Sequence, residues 1–598
     1  MRTCEERTRD VLERRDAYRE KQQRQQSVLA FGTLCGALIL SICVGMLPRF
    51  RSTPTVMDPA SYAEVYEALD KERVYYLYAD DEGIIQEDAA VDVNAGNATR
   101  PTGSTAQSSK EHSETNLQVV GVDEADIIKT DGRYLYVLSG GRVVVVDPND
   151  GYPQVLAEFT LSHGEASGYG TSGMYLVGDR LVVMQYRYVQ LRAVTAALVY
   201  DIADPAKPSF VTCFEQDGRE LSSRVIGDVL YTVSQYSLVT EPIETEPATF
   251  VPRTGCDGEE AVLSAQDIHI CGKSSQYIVV TAVRVSGEGE QLSQKAVLTS
   301  GNTVYANTEN FYIAGYGYGT RKTPLVRFAL NGGKLEKQAE TTIDGVLLNQ
   351  FSLDEYDGHL RVVITEYGEN GTTNALLVLD KDLNTVGSLK ELAQDERVYS
   401  VRFDGEAGYF VTFRQVDPLF TVDLSDPTKP TIQSELKIPG FSQYLHPYGD
   451  GKLLGIGMDA DENGRTTFMK LSMFDVSDPT AVTESNVTVL DQRDSEVLSN
   501  HKAVLIDMGK NLIGFATGDN TYHLYGYDAE NGFVLKARLA ALDGYGTRGI
   551  YIGEYLYVTS ANGVLSYRLS DFSSVGVLSI VKAKQSTAGT VSTSVAGF

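Results

Sequence analysis

Apolar residues recur along this chain in two patterns. From Val28 to Leu47 runs one uncharged stretch, VLAFGTLCGALILSICVGML, long enough to cross a hydrocarbon core of about 30 Å as a helix. Beyond residue 115 the apolar residues come in short Val, Ile, Leu and Tyr runs of strand length, cut by Gly, Asp, Asn and Pro. Such punctuation belongs to many short strands joined by tight turns.

The short runs repeat as a unit: turn, strand, turn, strand ending in Asp, a Pro/Gly/Asp turn, and a last strand. Clear copies are DGRYLYVL with RVVVVDPNDGYPQVLAEF (131–159), GDRLVVMQ with ALVYDIADPAKPSFVTCF (178–214), GYFVTFR with PLFTVDLSDPTKPTIQSEL (408–436), KLLGIGMD with FMKLSMFDVSDPTAVTESNV (452–487), and EYLYVTS with GVLSYRLSDFSSVGVL (554–578). A four-stranded meander cannot bury both faces alone, so the units must stack, and closing the stack into a ring protects the end faces. The expected fold is therefore all-β, a β-propeller of about eight four-stranded blades with seven to nine allowed, preceded by one transmembrane helix. The repeats parse into nine segments; eight blades are expected because an irregular loop at 237–275 interrupts the segment 222–290 and makes one blade look like two. A β-solenoid or an array of β-sandwiches would show shorter or non-closing periods.

The remaining segments follow from the same reading. Residues 1–26 form a short leader rich in Arg, 27–47 the transmembrane helix, 48–80 a juxtamembrane helical segment opened by Asp58-Pro59, 81–114 a polar linker, 115–582 the propeller and 583–598 a tail. Eight basic residues precede the apolar stretch and only Arg49 and Arg51 follow it closely. The positive-inside rule then puts the N-terminus in the cytoplasm and the propeller outside. A cleaved signal peptide is the competing reading, but the leader is long for one and no small-x-small site precedes Pro48.

Charge narrows the partners. With 80 Asp plus Glu against 52 Lys plus Arg, a formal net charge of −28, a phosphate backbone would be repelled over most of the surface, which argues against nucleic acid. The expected partners are the cell membrane, through one helix, and an extracellular protein, peptide or glycan. Cys256 and Cys271 flank a short stretch of the interrupting loop and form a disulfide candidate in an oxidising compartment. No CxxC or Cys/His spacing suggests zinc.

Several strings carry a family resemblance: TNLQVVGVDEADIIKTDGRYLYVL (115–138), LSSRVIGDVLYTVS (221–234), NQFSLDEYDGHLRVV (349–363), YSVRFDGEAGYFVTFRQVDPLFTVDLSDPTKP (399–430), ELKIPGFSQYLHPYGDGKLLGIGMD (435–459) and SEVLSNHKAVL (495–505). They resemble exported bacterial and archaeal proteins with a C-terminal β-propeller domain distantly related to WD-repeat propellers. The resemblance implies a fold and an exported address, and no established reaction.

Candidate chemistry is sparse. GxSxG, HExxH, P-loop and Rossmann signatures are absent from the propeller region, so no local motif announces an enzyme. Asp123, Glu124 and Asp126 open the propeller; they either face the channel and take a cation or basic ligand, or cap backbone amides where the ring closes. Arg224, Arg361, Arg402 and Arg548 recur near the first strands of blades, as ion pairs between blades or as an anion-attracting lining. His446 and His501 stand at blade starts, as packed structural residues or as channel lining. Asp459, Asp461 and Asn463 imitate the first half of a calcium loop, but Lys470 occupies the place of its bidentate Glu, so a plain hairpin turn competes with calcium. The functional expectation is a membrane-anchored extracytoplasmic propeller that binds a ligand or protein. The alternatives are a polysaccharide hydrolase or lyase, with Asp123, Asp354, Glu355 and Arg361 at the channel mouth, and a transmembrane sensor.

Overall fold

The computed structural model describes residues 58–71 and 110–580, apart from 162–166, 190–191, 239, 316–320, 370, 414–416, 462–463 and 544. The leader, the apolar stretch 28–47, the linker up to residue 109 and the tail lie outside the described residues. Among those described, no helix is long and apolar enough to cross a membrane.

The strands form nine antiparallel four-stranded meanders, consecutive in the chain except in the third, so the chain is an all-β propeller of nine blades: 128–160, 167–217, 219–298, 301–344, 353–392, 397–438, 441–489, 504–540 and 548–579. We number them 1 to 9. The first strand of each blade lies toward the axis and the fourth at the rim, where burial alternates along the chain, as in Thr483–Val489. Middle strands such as Leu512–Thr517 are buried throughout because a neighbouring blade covers each face. That explains why they read as continuous apolar runs while the rim strands read as alternating ones.

Blade number departs from the expected eight and sits at the top of the allowed range. Strands Val229–Ser237 and Gln276–Arg284 pair in unbroken register from Val229 opposite Arg284 to Ser237 opposite Gln276. The segment 222–290 thus lies within a complete blade 3, whose central hairpin carries a long excursion. That excursion is built onto two sheets. Its hairpin, Arg253–Cys256 with Glu259–Val262, extends the rim of blade 2 to six strands, and Ile268–Ile270 adds a parallel fifth strand to blade 3.

The segment 58–69 docks on the same excursion. Asp58 caps the 3-10 turn Pro59–Tyr62 by accepting from the Ala60 N–H at 3.1 Å, and the helix Ala63–Glu67 follows. Tyr62, Val65 and Leu69 bury themselves against Tyr236, Leu238, Phe250 and Leu263. The Tyr62 hydroxyl donates to the Leu263 carbonyl at 2.9 Å.

The repeated Asp-Pro strings form paired side-chain turns at the third-to-fourth strand connection. Asp201, Asp423 and Asp475 each accept from the N–H two residues on, and Asp204, Asp426 and Asp478 repeat the bond one turn later. Asp supplies the acceptor and Pro fixes φ, which is why the dipeptide recurs.

The disulfide expectation is corrected, and the 459–463 turn is seen in part. Cys256 and Cys271 are free thiols: Cys256 Sγ lies 3.2 Å from the Thr212 hydroxyl on the rim of blade 2, and Cys271 Sγ donates to Glu340 at 3.2 Å. They sit on the margins of different sheets, so their closeness in sequence brings no bond. Asp459 and Asp461 belong to a hairpin: Asp459 accepts from the Thr467 hydroxyl at 3.0 Å and Asp461 from the Arg465 N–H at 2.9 Å. Asn463 lies outside the described residues, and among those described no three His, Cys, Asp or Glu side chains group to hold a metal ion.

Candidate functional site

The segment that enters the propeller does not go directly into blade 1. It lines the channel first, touching blades in nearly the reverse of their order in the chain. Ser113 exchanges bonds with Tyr551 of blade 9, its N–H donating at 3.1 Å and its hydroxyl accepting at 3.0 Å. Asn116 donates at 3.2 Å both to the His501 carbonyl, before blade 8, and to the Tyr444 hydroxyl of blade 7. Gln118 donates to the Gln350 carbonyl, before blade 5, at 3.1 Å. Val119 and Val122 pack into the apolar layer between blades 3 and 4. Asp123 then bridges to Val225 of blade 3 and Asp126 to Met174 of blade 2, after which Ile128–Thr130 starts blade 1. Beside this path Gly173 must lack a side chain, because a Cβ there would stand 2.8 Å from that of Ala125.

The acidic cluster on this segment is consumed by cations and amides of the same chain. Arg548 Nε donates to Asp126 Oδ2 at 2.9 Å and its Nη2 to Glu496 at 3.1 Å, with both Arg548 and Asp126 almost wholly buried. Burial opposes the charge on Arg548, but the two carboxylates overcome it and hold its pKa above the usual value. Lys129, itself buried, donates to Asp123 Oδ1 at 2.8 Å and to the Glu124 carbonyl at 2.7 Å. Glu124 lies 3.7 Å from Nε2 of the fully buried His501. Burial, with Lys502, Arg224 and Arg548 near by, keeps His501 neutral, its pKa far below the ordinary range.

The four arginines do not form one ring. Arg548 joins blade 9 to the channel segment and to the connection before blade 8. Arg361, on the second strand of blade 5, pairs with Asp354 of the same blade and lies over the ring of Phe403. Arg224 donates to Gln350 at 2.8 Å. Arg402, 7% exposed, has no carboxylate in ion-pair contact among the described residues; desolvation lowers its pKa, while Tyr444, Asp354 and Asp404 act the other way. His446 accepts or donates at 2.9 Å with Tyr444, and burial together with Arg402 pulls its pKa down to about 3.

For the hydrolase alternative the carboxylates are already committed. Asp123, Asp126 and Asp354 are each ion-paired, and Glu355 accepts from Asn307, Asn310 and Tyr312 at about 2.9 Å. None of these stands as a free acid and base pair of the kind glycoside hydrolysis requires.

The channel segment leaves a cup of about 600 Å³ between itself and the first strands of blades 8, 9, 1, 2 and 3. Charge and hydrocarbon share its wall: Asp123, Lys129 and Lys502 alternate with Leu117, Val225 and Ile550. Lys129 and Lys502 were not singled out from sequence. Lys129 carried a usable signal, a lysine inside the apolar run ADIIKT, since a buried amine needs a nearby acid.

Comparisons with known proteins agree with this architecture. The family model described as beta propeller domain matches residues 112–572, which includes the channel segment and the blades up to the third strand of blade 9. An uncharacterised protein of Archaeoglobus fulgidus is 30% identical over 554 residues, covering 78% of this chain and 85% of that one. An uncharacterised protein of Methanocaldococcus jannaschii is 27% identical over 545 residues, covering 76% and 81%. Among solved structures, a protein from Lactobacillus plantarum matches half of this chain and 90% of its own at 9% identity, with a TM-score of 0.33.

Proposed function

Since the chain belongs to the beta propeller domain family, we propose that it is a binding module on the outer face of the cell membrane, its propeller held outside the cytoplasm by the apolar stretch 28–47. The observation that carries the binding part is the axial cup, whose volume of about 600 Å³ falls within the range of small-ligand sites. Its wall mixes apolar surface with a few fixed charges, the usual composition of such sites. Support for the anchor comes from the sequence, in the length of the stretch and the excess of basic residues before it.

Thermal melting of the full-length protein with panels of peptides, sugars and metal ions tests binding, because a ligand of the native state must raise the midpoint. No shift with any class would end the binding reading. A C-terminal enzyme reporter active only outside the cytoplasm tests the topology, and activity of a cytoplasm-only reporter would reverse it.

A further inference from the structure

The cup lacks what a sugar site uses and has what a peptide end needs. Among the described residues that line it there is no Phe, Tyr or Trp to stack on a sugar face. Backbone polar groups, by contrast, are on offer. The N–H groups of Glu114, Thr115 and Asn116 donate to nothing among the described residues. The axial edges of Ile128–Thr130 and Val504–Asp507 likewise carry no neighbouring strand. Main-chain donors and acceptors of this kind are met most simply by another extended main chain.

Charge fixes the polarity of such a guest. Lys502 Nζ makes one bond, to the Ala125 carbonyl at 3.0 Å, and has no carboxylate in ion-pair contact among the described residues. Its two remaining donors are available to an anion, whereas Lys129 and Arg548 are already neutralised by Asp123, Asp126 and Glu496. Leu117, Val120, Leu176 and Val225 supply apolar wall, Val120 being 43% exposed.

Resting on the binding reading above, we infer that the cup takes the C-terminal end of an extended peptide of about three to five residues, with its terminal carboxylate on Lys502. The axial strand edges pair with its main chain and the apolar wall takes its side chains.

The test is titration calorimetry of the full-length protein with a degenerate tetrapeptide library bearing free C-termini, against the same library amidated. The free acids are expected to bind at least about tenfold more tightly, the worth of one charge-assisted bond of about 1.4 kcal/mol. Lys502→Gln should abolish that preference and Lys502→Arg should keep most of it. Equal binding of acid and amide by the natural protein, or no peptide binding at all, overturns the inference without needing either variant to fold. Sugars or metal ions raising the melting midpoint while peptides do not would overturn it too, yet leave the binding module standing.

Discussion

Blades 7 and 8 meet as neighbours in sequence, while blades 9 and 1 meet only because the ring closes. Between 7 and 8 the layer has fourteen buried apolar residues including Leu454, Ile456, Met473, Phe515 and Tyr525, the Tyr527 hydroxyl donates across it to Asn486 at 2.9 Å, and the chain itself joins the two sheets. The seam between 9 and 1 has ten buried residues, with Val137, Val144, Ile550 and Val564 among them, and no covalent link. Its polar contacts join the two ends of the propeller. Arg142 donates to the Ile580 carbonyl at 2.7 Å, the Tyr557 hydroxyl accepts from Gly151 at 3.2 Å and donates to Pro148 at 3.3 Å, and Ser566 bonds the Gly151 carbonyl. Gly151 has φ of +89°, and a Cβ on it would stand 2.7 Å from the Tyr555 ring, so the seam is fitted to a glycine.

Many rings are closed by a strand lent from one end of the chain to the other. Here the four strands of each blade come from one stretch of the chain, and the channel segment clasps the seam in place of a shared strand. It bonds blade 9 at Ser113 and feeds blade 1 fifteen residues later.

The comparison breaks most completely if blade 9 is removed. Deleting 547–580 from the full chain should open blade 1 to protease within 128–160, because both the seam and the partner of Ser113 disappear; protection there equal to that of the intact protein would mean the ring is not closed at this place. Next in size is Arg548→Met, which strands Asp126 and Glu496 as buried charges and should cost about 3–5 kcal/mol by chemical denaturation. The double change Arg548→Met with Asp126→Leu should recover part of that, and equal losses for single and double variants would show that the ion pair is not what holds the segment.

Acid sharpens the picture further. Native His446 stays neutral until about pH 3, whereas in the unfolded chain it protonates near 6.5. The stability it contributes is whole above about 6.5 and is lost as pH falls from there toward 3, about 2 kcal/mol by pH 5. Asp217 works in the opposite sense, because burial, offset only in part by Arg192, lifts its pKa from 3.8 to about 6. It therefore adds stability as pH falls from 6 toward 4, about 1.4 kcal/mol by pH 5. His446→Gln should flatten the loss between pH 7 and 5, and an unchanged slope in urea melts would remove His446 from the account. The smallest effect is Ser566→Ala at the seam, about 1 kcal/mol, to be compared with a rim serine such as Ser485, whose change should be smaller still.

Much of this architecture is written in local sequence. The strand runs, the Asp-Pro turns and the alternation of the rim strands each depend on residues within a few positions of one another. Blade number was obscured by one excursion, which made the nine repeat segments look like one too many, although 229–237 and 276–284 pair as the central hairpin of a single blade and all nine stand. The acidic start at Asp123, Glu124 and Asp126 stands out in sequence, but its partners do not: Arg548 lies 422 positions from Asp126, a separation at which no spacing rule operates. Lys502 escaped for the same reason, because only the fold brings it to the Ala125 carbonyl, 377 positions back.

The path of the channel segment also sets a timetable. Ser113 meets Tyr551, 438 positions later, and ribosomes add about 5–20 residues per second. The segment must therefore wait on the order of 20–90 seconds for its last partner to be made, while the four strands of each blade, made within one stretch of chain, are free to fold as they emerge. During that interval Ser113 waits while Val119, Val122 and Asp123 already have partners in blades 3 and 4, so the ring is finished only when its last-made blade reaches a segment laid down before its first.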